Sequence, residues 1–573
     1  MMKHPINKPQ LPEGRSTRLF GANSFFDNPG AVLDVPVTDN QDELIKLMLI
    51  EQKRVLSVLG WEENYQSGYK KYSMGIRFAI SAPFDLLWAA TDLVEYLWLS
   101  VRHKFEFGEF LSEDYARSHM LPIIDRHTNL AYRKVYLKAK ERGLNVFEDG
   151  NSVVIGSGKY SYTTTFDKLS PDAIPWDKIQ EIPAVLVTGT NGKTTTVRLT
   201  RFICKQAGKI VGYCSSDWIM VDDKIIEKGD LSGPSGNQGV MMNPQVEVAV
   251  LEVARGGLLR RGILTNFVKS ATVTNVSEDH LHEDGVDTLE ELAQAKALVY
   301  KGVAKDGYAV INLDDKLMRE YAKKIAQKKI YITRDITNSK YSPYLKDAQY
   351  VCYADNNAFY WRDNNNDQRI ATFANTPITV NGHARHNIEN ALHAIALSFT
   401  LGNSITQIGK ALTQYENTAE NNQGRANVFE YNGGKIIVDF AHNAAGFEAM
   451  VGLVKSYVTN GGRLGILLGN TGNRMSLTDK ITDAVISGRP DFVVIKELTT
   501  YLRGTEPGQV VRQIEEMLIA KGMDKNNIRL VDNEFDGLDV AINFVKPGDA
   551  FLFIAHESTA EIVEKLKALA EQL

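Results

Sequence analysis

Cysteine is nearly missing: three residues in 573, at Cys204, Cys214 and Cys352. They form no C-x-x-C pair and no disulfide framework, so a reducing, cytoplasmic compartment is expected. A basic excess is missing too. Lys and Arg number 65 against 70 Asp and Glu, for a formal net charge of −5; a general nucleic-acid binder shows the opposite balance. No long uncharged run is present. The most apolar stretch, 78–101, is broken by Asp85, Asp92 and Glu95, so it reads as a buried or interface helix and not as a membrane span. Residues 1–12 lack the apolar centre of a secretory signal. Internal repeats and extended low-complexity tracts are lacking as well. What remains is an ordinary globular composition on a chain too long for one core, so several domains are expected.

What is present is most telling at 185–196, Val-Leu-Val-Thr-Gly-Thr-Asn-Gly-Lys-Thr-Thr-Thr. A strand-like apolar run enters a glycine turn, and a helical pattern follows. Such a turn lets backbone N–H groups and a helix N-terminus surround a phosphate. Lys193 can reach the β- and γ-phosphates, and a threonine hydroxyl can take a magnesium site. The general phosphate-loop pattern asks for a glycine where Val187 stands. The sequence carries the shorter form Gly189-Thr190-Asn191-Gly192-Lys193-Thr194, followed by Thr195. ATP with Mg2+ is the expected cofactor pair.

Along the chain, 40–61 reads as a helix with Asn40 as its cap and Gly60 as its stop. A helical pattern fills 78–105, and another spans 130–142 before Gly143. Short strands follow at 145–165, and a proline-bearing linker at 167–182. From there strand-like runs at 184–188, 246–253, 270–276, 308–313 and 329–333 alternate with helices, the pattern of a mainly parallel sheet. Residues 350–380 read as hairpins and 388–401 as helix. After the polar run 416–424, strands at 435–440, 463–468, 491–496, 528–531 and 550–555 imply a second, smaller α/β sheet. The division is 1–180, an α+β domain with its linker; 181–423, the phosphate-loop domain; and 424–573, a Rossmann-like α/β domain.

Within the central segment Glu252 closes an apolar strand. A carboxylate at the carboxyl edge of a parallel sheet faces the crevice where ligands bind, and it suits magnesium. His280 ends the next such run, in Asn275-Val276-Ser277-Glu278-Asp279-His280-Leu281, although magnesium prefers oxygen. Lys296, on a helix among alanines, reads by itself as a solvated lysine. His103, His119 and His127 show no ligand spacing and read as structural.

In order, these pieces resemble the Mur ligase family: the Gly-Thr-Asn-Gly-Lys-Thr loop, Glu252, Asn275…Asp279-His280-Leu281, His386-Asn387 with Asn390-Ala391-Leu392, Gly424-Arg425, and Val438-Asp439-Phe440-Ala441-His442-Asn443. Within that family they are most similar to the Mur-like half of cyanophycin synthetases. Ser232-Gly233-Pro234, Glu252 through Arg260 and Leu502-Arg503-Gly504-Thr505-Glu506-Pro507-Gly508 carry that likeness. Arg18-Leu19-Phe20-Gly21-Ala22-Asn23 is similar to that branch's N-terminal domain. The segments Ala139-Lys140-Glu141-Arg142-Gly143 and 154–160 are similar to the start of its ATP-grasp module. Only about twenty residues then precede the Mur-like part, too few for an ATP-grasp body.

The resemblance implies an ATP-dependent amide ligase working through an acyl-phosphate. It assigns Lys193 and the loop residues Gly189 to Thr195 to the phosphates, and Thr194 and Glu252 to one magnesium ion. His280 would serve a second ion, and Lys296 is the lysine that many members carbamylate. Asn387 and Asn390 would lie on the nucleotide side. Arg425 and Asp439 would arrive from the last domain, Arg425 at the γ-phosphate. The implied substrates are an amino acid, arginine in that branch, and a carboxylate of an aspartyl peptide or polymer. A complete synthetase or a separate backbone-making enzyme is an implied partner, and a homo-oligomer is compatible; nucleic acid and membrane are not expected. Two other readings stay open: an accessory, non-catalytic ATP-binding partner, and a glutamate- or folate-type polymer ligase. Asn473 departs from the family, standing where members commonly carry the aspartate of Gly-Asp-Arg. The N-terminal segment reads as a docking surface.

Overall fold

A computed structural model describes residues 10–61, 65–279, 281–459, 461–472 and 477–571. His280 and Asn473 lie outside the described residues.

The chain begins with a four-stranded antiparallel sheet. Its strands lie in the order Arg15–Leu19, Gly30–Val35, Gly75–Ser81, Ser67–Tyr72. The helix Gln41–Leu59 packs with Leu44, Ile45, Met48, Val55 and Leu56 inward, the spacing of one helical face. It stops at Gly60, whose left-handed φ of 63° suits glycine. Asn40 does not cap it as expected: it takes a left-handed φ of 56° and its side chain accepts no cap bond. The helix expected over 78–105 is also corrected. Residues 75–81 form a strand buried at every position, and the helix starts only at Leu87, running Leu87–Phe107. Burial on both faces erased the alternation that would have marked a strand.

Helices Glu113–His127 and Leu130–Glu141 complete this layer. A small sheet, Val146–Asp149, Ser152–Ile155 and Tyr162–Thr165, then joins two cores. Val146, Val153 and Ile155 pack into the N-terminal core, while Phe147 and Val154 pack beneath the next sheet. In the pleat, alternate side chains face opposite sides, so one hairpin bonds two layers.

The central sheet has eleven strands. Seven run parallel in the order Val211–Cys214, Val248–Glu252, Ala184–Thr188, Val268–Val273, Val303–Asn312, Lys328–Thr333, Tyr350–Asp355. Antiparallel ribbons extend both edges, Trp218–Val221 with Lys224–Lys228 and Ala358–Asp363 with Asn366–Thr372. Helices Lys193–Gln206 and Arg385–Thr400 cover one face. The third layer is a six-stranded sheet in the order Asn427–Tyr431, Gly434–Asp439, Ala550–Ile554, Leu464–Leu468, Phe492–Lys496, Ile528–Val531. Only its first pair is antiparallel. The fold is thus α/β, with a mainly parallel phosphate-loop sheet, a Rossmann-like C-terminal sheet and an α+β N-terminal part. Among the described residues no helix is long and apolar enough to cross a membrane.

Candidate active site

The three central strands Val248–Glu252, Ala184–Thr188 and Val268–Val273 lie side by side and end together, with Glu252 in register with Val187 and Val273 with Thr188. Their loops therefore meet at one carboxyl edge, where open α/β sheets bind ligands. The middle loop is the glycine turn. Gly189 has φ 152°, and a Cβ there would lie 1.8 Å from Thr274 Oγ1; at Gly192, φ 82°, it would lie 2.1 Å from Asn390 Oδ1. Only glycine permits both approaches.

The neighbouring strand end holds this loop. Asn275 Oδ1 accepts from Asn191 N at 3.0 Å, Asn275 Nδ2 donates to Asn191 O at 3.1 Å, and Thr190 N donates to Asn275 O at 2.9 Å. These bonds fix the shape of the loop. The 14-residue helix beginning at Lys193 aims its N-terminal N–H groups and positive dipole end into the same space. Lys193 Nζ folds over the turn and donates to Thr190 O at 3.0 Å.

Thr194 Oγ1 donates to Glu252 Oε2 at 2.9 Å, and Ser216 Oγ lies 3.3 Å from the same hydroxyl. Glu252 is buried. Burial pushes its carboxyl above the ordinary range, while Lys193, the Thr194 bond and Arg425 pull it back. Two hydroxyls and one carboxylate form a hard oxygen set of the kind magnesium takes when phosphate oxygens complete its shell. Among the described residues no group of three His, Cys, Asp or Glu could hold a metal by itself. Thr194, Ser216 and Glu252 would hold such an ion, which would supply positive charge beside the loop.

Lys296 is not the solvated lysine its helix suggested. It sits on Leu289–Ala297, is 4% exposed, and donates to Gly189 O at 2.8 Å. Burial, then the charge of Lys193, brings its amine well below the usual lysine value, against the opposing pull of Asp279. The lysine thus touches the underside of the phosphate loop.

A cleft of about 860 Å³ opens above the loop. It is lined by Thr190 to Thr195, by His386, Asn387 and Asn390 of the helix Arg385–Thr400, and by Arg425, Asp439, Phe440 and His442 from the C-terminal sheet. The structure brings Lys193, Thr194, Asn387, Asn390, Arg425 and Asp439 to this one space. Glu252 and Lys296 stand behind it, each one bond away through Thr194 and Gly189. Asn390 Nδ2 donates to Asn387 Oδ1 at 3.2 Å, and Asn387 Nδ2 to Ile378 O at 3.2 Å. The Arg425 guanidinium lies 4.9 Å from the centre of the Phe440 ring. Asp439 accepts from Ala426 N at 2.8 Å; burial pushes its carboxyl up to about 6, with Arg425 opposing.

Sequence reasoning missed the parts that set Arg425. Three asparagines tie the segment before it: Asn422 Nδ2 donates to Asn417 Oδ1 at 2.8 Å, Asn417 Nδ2 to Arg425 O at 2.8 Å, and Gly424 N donates to Asn427 Oδ1 at 2.7 Å. Arg198 of the phosphate-loop helix donates to Gln423 O at 3.2 Å and pairs with Asp217 at 2.5 Å. Asn191 and Asn443 exchange amide bonds of 3.1 and 3.0 Å from loop to last domain. The polar run 416–424 read only as a break, although its asparagine density was the available signal. Of the N-terminal histidines, the His119 ring lies 5.8 Å from those of both Tyr96 and Tyr115, and His103 Nδ1 lies 2.7 Å from Glu109 O.

The chain is similar to known proteins over its middle and C-terminal parts. Residues 187–398 match the Mur ligase middle domain, and 424–556 match the Mur ligase glutamate ligase domain. A cyanophycin synthetase from Geminocystis herdmanii is 33% identical over 407 residues, covering 71% of this chain and 46% of that one. The chain thus spans about half the length of the curated relatives it matches. A UDP-N-acetylmuramoyl-L-alanyl-D-glutamate–2,6-diaminopimelate ligase from Chlorobium phaeobacteroides is 25% identical, covering 67% and 74%. Among solved structures, Escherichia coli FolC in complex with DHPP and ADP is similar at TM-score 0.49 and 17% identity, covering 68% of this chain and 89% of that one.

Proposed function

Because the chain belongs to the Mur ligase family through its middle and C-terminal domains, we propose that it is an ATP-dependent amide ligase. It would join an amino acid to a carboxylate of an aspartyl peptide or polymer. The observation that carries this reading is one cleft in which the phosphate loop of the central sheet faces Arg425 and Asp439 of the C-terminal part. That layout suits transfer of a γ-phosphoryl group under a closing domain.

The chemistry follows from the residues. The loop N–H groups, Lys193 and the helix N-terminus hold the β- and γ-phosphates. Thr194 and Glu252 would hold magnesium, which when bound neutralises charge on the phosphate oxygens. An acceptor carboxylate oxygen attacks the γ-phosphorus, and ADP leaves. Arg425 meets the charge spread over the transferring group with its planar fork. The C-terminal domain, fastened to the loop through Asn191 and Asn443, keeps water from the acyl-phosphate. An amine then attacks the acyl carbon and phosphate departs. Lys296 fits the acceptor side: a buried amine held neutral is the form that adds carbon dioxide, and the resulting carbamate is an oxygen anion. His280 is assigned to a second ion by resemblance alone. Asn387 and Asn390 serve the nucleotide side.

The favoured amine is arginine and the favoured acceptor an aspartyl polymer made elsewhere, as in the branch this sequence resembles. The three buried free thiols suit the cytoplasm. The test is ADP release by purified protein across arginine, lysine and glutamate with aspartyl peptides, read together with product mass. The expected result is release that needs both substrates and a product heavier by one residue. Tight ATP binding without turnover on any pair would favour the accessory reading. A glutamate adduct alone would favour the folate-type one.

A further inference from the structure

We infer that the hairpin Ser67–Tyr72 and Gly75–Ser81 of the N-terminal sheet, through Arg77, positions the segment carrying Lys296. The inference rests on the reading above that Lys296 belongs to the acceptor side. Arg77 is a positioning residue here, since it touches no substrate atom.

The geometry is a convergence. The Arg77 side chain is 2% exposed and paired with Asp34 at 2.6 Å. Its Nη1 donates to Asp284 O at 2.6 Å and its Nη2 to Leu259 O at 3.1 Å. Leu259 lies on the helix Arg255–Arg261, which follows the strand ending in Glu252; Asp284 lies in the loop before the Lys296 helix. One guanidinium therefore joins the two segments that leave the sheet edge. Gly285 lies flat against the arginine stem: its φ is 81°, and a Cβ there would come within 2.7 Å of Arg77 Cδ.

Two more contacts from the same hairpin reach the same short segment. Ser73 N and Oγ both donate to Asp287, at 2.7 and 2.6 Å. Lys70 Nζ pairs with Glu291 at 2.8 Å. Glu291 is the residue that closes the capping box at the start of the Lys296 helix, accepting from Asp287 N at 2.7 Å and Thr288 N at 3.2 Å. From inside the central domain Arg255 adds a pair to Glu283 at 3.1 Å. A lysine could not replace Arg77, because its targets lie in three directions and only the planar five-donor fork serves them together.

The test compares the full chain with Arg77→Lys and with Ser73→Ala, a change on a turn that spares the core. Two readouts are used: amide hydrogen exchange by peptide, and the KM values for ATP and for acceptor. Arg77→Lys should raise exchange over 281–297 by about tenfold, the loss of one or two charge-assisted bonds, while 185–200 keeps wild-type exchange. The KM for acceptor should rise and that for ATP stay unchanged. Ser73→Ala should show the same pattern with smaller size. Wild-type exchange over 281–297 in both variants, or loosening spread equally over the N-terminal sheet and the phosphate-loop helix, would overturn the inference. If the wild-type protein turns over no acceptor, the exchange result still decides the brace, and the ligase reading fails separately.

Discussion

Among the described residues two lysines are buried, one in each parallel-sheet layer, and their surroundings are opposite. Lys496 ends the strand Phe492–Lys496, is 1% exposed, and has a carboxylate among its partners. It bonds the Glu534 carboxylate and donates to Ile554 O at 2.7 Å. Glu534 in turn accepts from the backbone N–H groups of His556, Glu557 and Ser558 at 2.5, 3.1 and 2.8 Å. Lys296, 4% exposed, donates to a neutral carbonyl, Gly189 O, beside the positive charge of Lys193. Burying an amine is costly unless a carboxylate answers it. The molecule meets that cost with an ion pair where the lysine knits a sheet end. It leaves the amine on a neutral carbonyl only under the phosphate loop, and a perturbed group of that kind marks a functional-site candidate.

That contrast can be broken in several ways. Lys193→Ala should lower turnover by on the order of a thousandfold, because it removes both the phosphate cation and the charge that most depresses the amine of Lys296. Near-normal turnover would refute the assignment of the loop. Lys496→Met strands a buried carboxylate and should cost about 3–5 kcal/mol in denaturant unfolding. Lys296→Met should do the reverse: turnover falls about a hundredfold while stability stays within about 1 kcal/mol or rises, since an unanswered amine gives way to an apolar chain. If both variants lose stability alike, the two lysines are equivalent and the contrast fails.

Titration sharpens the same point. Lys296 has a folded-state pKa well below its unfolded one. Between those values the unfolded chain binds the extra proton, so wild type should gain stability over Lys296→Met as pH rises. Asp439 works with opposite sign. Its carboxyl is raised from 3.8 to about 6 in the fold, so its contribution is present at low pH and lost as pH climbs through that window. Relative to Asp439→Asn, wild type should lose roughly 2–3 kcal/mol between those values and change little above them. A flat difference between the two proteins would contradict a raised Asp439 carboxyl.

How much of this was readable in advance depends on how local the cause is. The glycine turn with Lys193 and Thr194 was legible because twelve contiguous residues build it. Strand ends such as Glu252 were legible from one apolar run and its stop. The strand 75–81 was misread because every residue is buried, which removes the period that separates strand from helix. Helical spacing alone could not show that Lys296 is covered, since the covering atoms belong to a loop more than a hundred residues earlier in the chain. Arg77, Ser73 and Arg198 were invisible for the same reason: each acts on a segment brought to it only by the packing of one layer on another.

The central claim is that an acceptor carboxylate takes the γ-phosphoryl group before an amine displaces it. The direct measurement is a single-turnover reaction with an acceptor whose carboxylates carry oxygen-18, with mass analysis of the phosphate, nucleotide and amide formed. The account predicts one labelled oxygen per inorganic phosphate, in step with amide and ADP. Label confined to the acceptor, or passing into AMP, would contradict it.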